Sequence, residues 1–176
     1  MAGGELDRAR IEEIVTAVAD RLEGRWLLVG GAFVALSYEP DRLTEDVDLV
    51  GMEGTQAERY ALLDLAFELG LPVEAVNSAA DFFVRRIDGW ADEVEVRRVG
   101  ARSTVYKPTS TLFLLLKIAR LSERDLRDCE AIVARGGPFD RDRVLAAVDA
   151  LPSGDDAERD QRRARLGELV ARPDRA

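Results

Sequence analysis

The chain of 176 residues contains no histidine and a single cysteine, Cys129. One cysteine cannot form an internal disulfide, and zinc sites built from four cysteines or from cysteine and histidine cannot be assembled. The lack of histidine also excludes Ser-His-Asp and Cys-His catalytic machinery. Several common routes to structural metal binding and to covalent catalysis are therefore closed to this chain.

Long apolar runs are also absent from the sequence, because no unbroken stretch exceeds five residues and a membrane span needs about 20. Residues 1–7 have neither the basic start nor the apolar run of a signal peptide. We therefore expect a cytoplasmic protein without membrane contact. The net charge of −9 argues against a broad grip on duplex nucleic acid, although a local basic patch could still capture a nucleotide or an RNA end.

The order of apolar and charged residues predicts an α/β fold. Amphipathic or buried helices are predicted at 6–22, 32–36 and 55–69, the last beginning with a capping box at Thr55 and Glu58. Strands are predicted at 26–29, 47–50, 73–76, 82–87, 93–99 and 104–106. Further helices are predicted at 108–121, 122–134, 140–150 and 156–171. We expect one domain over 1–176, a small mixed β-sheet packed by helices, with its core at about 6–135 and a helical C-terminal segment at about 138–172.

Gly30 and Gly31 stand where the strand at 26–29 runs into a helix. Two glycines at such a turn allow a phosphate to approach backbone N–H groups at the positive end of the helix. Taken alone, the pair is more typical of a tight turn with close helix packing. It is neither a Walker A loop, which needs a following lysine, nor a dinucleotide fingerprint, which needs three spaced glycines.

Asp46 and Asp48, on the next predicted strand, favour phosphate binding over a purely structural turn at Gly30 and Gly31. Two acids two positions apart in a strand point to the same face, with their β-carbons roughly 6.6 Å apart. Such a pair is hard to keep ionised without a cation between its members, and the simplest cation is a divalent metal. The alternative is a solvent-exposed acidic pair at a strand end, but the apolar Val47, Leu49 and Val50 favour a core strand and metal ligation.

A family resemblance rests on three segments. These are 28–32 (Leu-Val-Gly-Gly-Ala), 42–49 (Arg-Leu-Thr-Glu-Asp-Val-Asp-Leu), and a later helix in which Lys117 is followed by the Arg-Asp-Leu-Arg-Asp stretch at 124–128. The chain resembles the nucleotidyltransferase superfamily with a polymerase-beta-like palm, most closely the small bacterial AbiEii-like nucleotidyltransferases often found in toxin–antitoxin operons. The resemblance covers 26–50 well and 108–132 fairly.

The resemblance implies metal-dependent transfer of a nucleotide monophosphate from a nucleoside triphosphate to an acceptor. Asp46 and Asp48 would hold Mg²⁺ or Mn²⁺, while Gly30, Gly31 and Thr44 would contact the nucleotide. A third carboxylate would complete the catalytic set. Glu93 and Glu95 are the candidates and we prefer Glu95, although both also suit the solvent side of an edge strand.

Lys117 is one of only two lysines, and it lies within the apolar stretch at 112–119. A lysine there must pair, reach solvent or meet a ligand phosphate. It is therefore either a nucleotide-binding residue or one half of an ion pair with Glu123, Asp125 or Asp128.

Two main functions remain open from the sequence. The first is a nucleotidyltransferase acting on an RNA, a protein or a small molecule, within a toxin–antitoxin system or outside one. The second is a non-catalytic nucleotide-binding or antitoxin-like module that binds a cognate protein partner. A glycosyltransferase with an Asp-x-Asp motif is a third reading, for which the chain is short.

Overall fold

The structure, a computed structural model, describes residues 4–135, 137–152 and 156–172. The chain divides into two compact units, Met1–Pro108 and Thr109–Ala176. This division falls well before the boundary near residue 138 that the sequence pattern suggested for a helical C-terminal segment.

The first unit contains four helices and five strands among its described residues. The helices are α1 (Arg8–Arg21), α2 (Gly30–Ser37), α3 (Gln56–Glu68) and α4 (Asp81–Val84). The strands are β1 (Gly24–Val29), β2 (Val47–Gly51), β3 (Val76–Asn77), β4 (Val94–Val99) and β5 (Ser103–Pro108). Short 3₁₀ turns lie at Val73–Ala75 and Trp90–Asp92.

The five strands form one mixed sheet in the order β3-β2-β1-β5-β4. β1 pairs antiparallel with β2 and parallel with β5, while β3 runs parallel to β2 and β4 runs antiparallel to β5. The predicted α/β class with a small mixed sheet is therefore confirmed. The central strand β1 is apolar on both faces, since Trp26, Leu27 and Leu28 are all at most 1% exposed.

Local sequence signals explain how helix α3 begins. The Thr55 hydroxyl accepts a hydrogen bond from the Glu58 amide, and the Glu58 carboxylate accepts one from the Thr55 amide in return. This reciprocal arrangement is the predicted capping box, which satisfies amide groups that the first turn of a helix leaves without partners.

The segment 82–87, predicted as a strand, instead contains the end of the short helix α4 and the turn after it. Its apolar residues do not alternate between two environments, because Phe82 and Phe83 are both exposed while Val84 is buried. The Asp81 carboxylate also accepts a hydrogen bond from Arg85 one helical turn later, at 2.7 Å. Helical spacing of these charged partners outweighs the strand preference of adjacent aromatics.

The second unit is helical. It contains α5 (Ser110–Ile118), α6 (Glu123–Arg135), α7 (Arg141–Asp149) and α8 (Ala157–Ala171), so the four helices predicted here from the sequence are present. Its core includes Leu112, Phe113, Ile132 and Leu166. Gly136, which follows α6 in the sequence, lies outside the described residues. Within the described parts of both units, every helix is too short or too polar to cross a lipid bilayer.

Candidate functional site

Gly30 meets two separate demands that another residue type would violate. Its φ of +71° lies in the left-handed region that favours glycine. A β-carbon at Gly30 would also overlap Oδ2 of Asp48 and stand 3.2 Å from its Cγ. The closeness follows from the sheet, because Asp48 lies opposite Val29, the last residue of β1. The predicted glycine turn and the predicted acid strand thus lie against each other.

Gly31 is covered by the segment that leads into β2. A β-carbon there would be 2.9 Å from the Thr44 hydroxyl and 3.4 Å from the Arg42 guanidinium. Thr44 is only 2% exposed, and its hydroxyl donates to the Asp46 carbonyl at 3.2 Å. Backbone hydrogen bonds between Leu6 and Thr44, at 2.7 and 3.1 Å, hold this segment in place.

Asp46, which immediately precedes β2, and Asp48 within it are both half-buried. The amide of Asn77 links the two positions: its Nδ2 donates to Asp46 Oδ2 at 3.2 Å, and its α-carbon lies opposite Asp48 in the β2–β3 ladder. The two carboxylates therefore share one side of the sheet, beside the glycine turn. The structure places Gly30, Gly31, Thr44, Asp46 and Asp48 in one region of the first unit.

The helix that starts at this turn adds an electrostatic field that favours an anion. Helix α2 begins at Gly30 with Val29 in the N-cap position, where valine offers no hydrogen-bond acceptor from its side chain. The amino end of a helix carries a partial positive charge, so an anionic group is stabilised there. A phosphate at Gly30 and Gly31 would meet this end of α2, with the carboxylates of Asp46 and Asp48 alongside.

The donor set at Asp46 and Asp48 suits a magnesium or manganese ion. Mg²⁺ in nucleotide sites is usually held by one or two carboxylates, with phosphate oxygens and water completing its shell. Asp46 and Asp48 supply two carboxylates on one side, and Asn77 steadies one of them. Across residues 4–135, 137–152 and 156–172, no cluster of three or more acidic, histidine or cysteine side chains is placed to hold a metal. Any such ion would therefore depend on the nucleotide for several ligands.

Glu95, the preferred third carboxylate, lies elsewhere in the sheet. It belongs to β4, which is separated from β2 by β1 and β5, a distance of roughly 14 Å at the usual strand spacing. Its carboxylate forms an ion pair with Lys107 at 3.1 Å on the neighbouring strand.

The register also assigns Glu95 to the other face. One row of paired residues runs across four strands: Val96, Tyr106, Leu27 and Val50. Residues in one row share a face, and Val50 shares its face with Asp48 two positions away. Glu95 is next to Val96 and so points to the opposite face. The structure does not bring Glu95 to the aspartates, and Glu93 precedes β4 at the same distant edge.

Lys117 forms buried ion pairs within the second unit. It is 9% exposed, and its Nζ lies 3.1 Å from Asp125 Oδ1 and 2.8 Å from Asp128 Oδ2. It also lies over the Phe113 ring, 5.3 Å from the centroid. Of the two alternatives open from the sequence, the ion pair is the one observed, and it ties α5 to α6.

Asp125 is the hub of this cluster. Burial raises the pKa of its carboxyl, but hydrogen bonds from Arg120 and Ser122, together with the Lys117 charge, outweigh burial and hold that pKa below its ordinary value. The Ser122 amide and hydroxyl donate to Asp125 at 3.0 and 2.7 Å, and the Asp125 amide donates to the Ser122 hydroxyl at 3.2 Å, which forms a capping box. Nearby Cys129 is fully buried, and burial raises the pKa of its thiol, so it is a core residue.

Sequence reasoning missed Asn77. The only sequence signal for it is a polar residue directly after the apolar Val76, at the end of a predicted strand. Nothing local says that this strand pairs with β2, so its proximity to Asp46 was not predictable.

No protein-family model, no curated protein and no solved structure matches this chain. The site is therefore defined by its geometry alone.

Proposed function

We propose that the chain is a metal-dependent nucleotidyltransferase, which transfers a nucleotide monophosphate from a nucleoside triphosphate to an acceptor hydroxyl. The observation that carries this proposal is the placement of the Asp48 carboxylate directly against Gly30, with Asp46 on the same side. Acids beside a helix-leading glycine turn supply metal ligands and a phosphate cradle at one point.

Each residue has a distinct role in this proposal. Gly30 and Gly31 would bind the triphosphate through their backbone N–H groups at the amino end of α2, while the space that a Gly30 side chain would take is left to the Asp48 carboxylate. Asp46 and Asp48 hold Mg²⁺ or Mn²⁺, which would supply charge neutralisation at the phosphates. Thr44 fixes the backbone ahead of Asp48 through its hydrogen bond to the Asp46 carbonyl, and its hydroxyl lies against Gly31.

The proposed reaction balances without an oxidant or reductant. The acceptor oxygen forms a bond to the α-phosphorus, and the bond between that phosphorus and the oxygen bridging to the β-phosphorus breaks. Pyrophosphate leaves with the electron pair, and the acceptor proton passes to solvent water. The protein contributes chiefly positioning and electrostatic stabilisation to such a reaction.

A second candidate is favoured by a specific observation. Glu95 lies on the opposite face from Asp48, and no third acid joins the pair among the described residues. A site with two carboxylates can bind a metal–nucleotide complex without efficiently activating an acceptor. The alternative function is therefore a non-catalytic nucleotide-binding module, such as an antitoxin-like partner of another protein.

The test has two stages. Calorimetry with each of the four ribonucleoside triphosphates and Mg²⁺ or Mn²⁺ measures binding, and Asp48→Asn should weaken it by at least about tenfold. Asp64→Asn, which removes an exposed acid from α3, is the matched control and should bind as the wild type does. Equal affinity of Asp48→Asn and Asp64→Asn would count against the site.

The second stage separates the enzyme from the binding module. The full chain is incubated with α-³²P-labelled nucleoside triphosphate, Mg²⁺ or Mn²⁺, and cell extract. Label that appears in RNA, protein or a small molecule, and is lost with Asp48→Asn, supports transfer. Metal-dependent binding without any labelled product would favour the non-catalytic function.

A further inference from the structure

A cleft of about 640 Å³ opens beside the carboxylate site in the first unit. It lies between α3, the edge strand β3 and α4. Its volume is within the range of small-molecule pockets. The lining combines apolar side chains, among them Leu63 and Val76, with Asn77 and several charged residues.

Asn77 belongs both to the cleft and to the carboxylate site. It lines the cleft, and its Nδ2 donates to Asp46 Oδ2 at 3.2 Å. A ligand group that contacts Asn77 from the cleft is therefore one side chain away from the Asp46 carboxylate. Val76 pairs with Val47 and so faces away from Asp48, whereas Asn77 pairs with Asp48; Asn77 is therefore the point at which the cleft meets the carboxylate side of the sheet.

The charge of the cleft is opposite to that of the chain. Arg59, Arg85 and Arg86 line it together with one acid, Asp81, which gives three positive charges against one negative charge, or +2, in a protein of net charge −9. Asp81 pairs with Arg59 at 3.2 Å and with Arg85 at 2.7 Å. Arg59 is still 57% exposed through its side chain, so the cleft favours an anionic ligand.

An aromatic ring stands beside this charge. Phe82 is 60% exposed at the cleft, and the Arg86 guanidinium lies over its ring at 4.6 Å from the centroid. An exposed aromatic ring next to arginine is the arrangement on which bases of single-stranded nucleic acids stack, with the arginine near the phosphates.

We propose that this cleft binds the end of a single-stranded nucleic acid, which is the acceptor in the transfer reaction. The inference rests on the proposed function for its chemistry but not for its binding. Phe82 stacks on a terminal base, Arg59 and Arg86 contact the backbone phosphates, and Asn77 faces the end whose hydroxyl is extended. The net charge of the whole chain limits the contact to a few nucleotides and disfavours long duplexes.

The test uses the full chain without metal or nucleoside triphosphate, so that binding at the cleft is measured by itself. Fluorescence anisotropy follows eight-nucleotide single-stranded RNA and DNA of the same mixed sequence. Phe82→Ala and Arg86→Gln should each weaken the tighter-bound of the two by roughly 5- to 50-fold. Arg86→Gln should also reduce the slope of log affinity against log salt by about 1.

Matched controls come from the same unit. Phe67→Ala removes an aromatic side chain that is 85% exposed and does not line the cleft. Arg102→Gln removes an exposed arginine that pairs with Glu23. Both should bind the oligonucleotide as the wild type does. Equal losses in the controls and in the cleft variants would overturn the proposal.

Other outcomes are equally decisive. If the wild type binds neither oligonucleotide at low salt, the cleft is not a nucleic-acid site, and its exposed Leu63 and Phe82 point to a protein partner instead. Asp48→Asn should keep oligonucleotide binding while it loses metal–nucleotide binding. A wild type that binds the oligonucleotide but no metal–nucleotide complex supports the cleft and overturns the transferase. The reverse result overturns the cleft alone.

Discussion

The Asp48 carboxylate occupies the space where a side chain of Gly30 would begin. The contact joins the end of β1 to β2 across an antiparallel pair in which Val29 lies opposite Asp48. It places an acid at the amino end of a helix, where a phosphate and its metal would gather. Gly30 and Asp48, which are 18 positions apart in the sequence, thus belong to one site.

Gly30→Ala should damage this site and destabilise the first unit. The left-handed φ costs an alanine about 1 kcal/mol, and the overlap with Asp48 must also be relieved by moving the carboxylate. Gly89→Ala is the matched control, since φ is +73° there but a β-carbon meets nothing within 4 Å. We expect metal–nucleotide affinity, measured by calorimetry, to fall with Gly30→Ala and to persist with Gly89→Ala. Equal metal–nucleotide affinities of Gly30→Ala and Gly89→Ala would show that binding does not require Asp48 to lie against Gly30.

Asn77→Asp should test how the site responds to a third carboxylate. The new acid would stand beside Asp46, so repulsion should lower the melting temperature in the absence of metal. A divalent ion would relieve that repulsion, and 5 mM Mn²⁺ should raise the melting temperature more than it does in the wild type. Asn77→Ala loses the same hydrogen bond without adding charge. If Mn²⁺ raises the melting temperature equally in both variants, Asn77 does not border a metal site.

Local signals made much of this fold predictable. The capping boxes at Thr55 and at Ser122 involve residues three apart, so the sequence reveals them directly. The proximity of Gly30 and Asp48 was suggested by a strand, a glycine turn that leads into a helix, and the next strand, all within residues 26–50. Short-range patterns therefore recovered the glycine turn and the acid pair.

The features that the sequence did not predict depend on pairing between strands, or packing between helices, that no local pattern specifies. The face and position of Glu95 depend on the register of β4 on β5 and of β5 on β1, which no local pattern specifies. Asn77 became part of the site only because β3 pairs with β2. The partner of Lys117 stayed open for a similar reason, because three acids lay within reach along the chain and packing of α5 on α6 chose two of them.

Lys117→Met should destabilise the second unit by about 3–5 kcal/mol, because Asp128, which is 0% exposed, loses a cation 2.8 Å away. Urea unfolding followed by circular dichroism measures the loss. The double variant Lys117→Met/Asp128→Asn removes both charges and should be more stable than Lys117→Met alone. An unchanged free energy of unfolding, accompanied by weaker triphosphate binding, would instead make Lys117 a phosphate ligand.

The stability of the second unit should depend on the ionisation of Asp125. Its pKa is held below the ordinary value in the folded chain, while an unfolded aspartate titrates near pH 4, at about 3.9. The unfolded state therefore binds the proton first as the pH falls. The stabilisation by Asp125 is fully present above about pH 4 and is lost progressively below it.

Asp125→Asn should remove that dependence. At pH 7 the variant should be less stable by about 2–4 kcal/mol, because Arg120, Ser122 and Lys117 lose a charged acceptor. Between pH 5 and pH 2.5, its free energy of unfolding should fall less steeply than that of the wild type. Urea titrations at several pH values measure both quantities, and Asp149→Asn controls for the loss of one negative charge at an exposed position of the same unit. Parallel pH profiles for the wild type and Asp125→Asn would show that the acid sensitivity arises from other carboxylates.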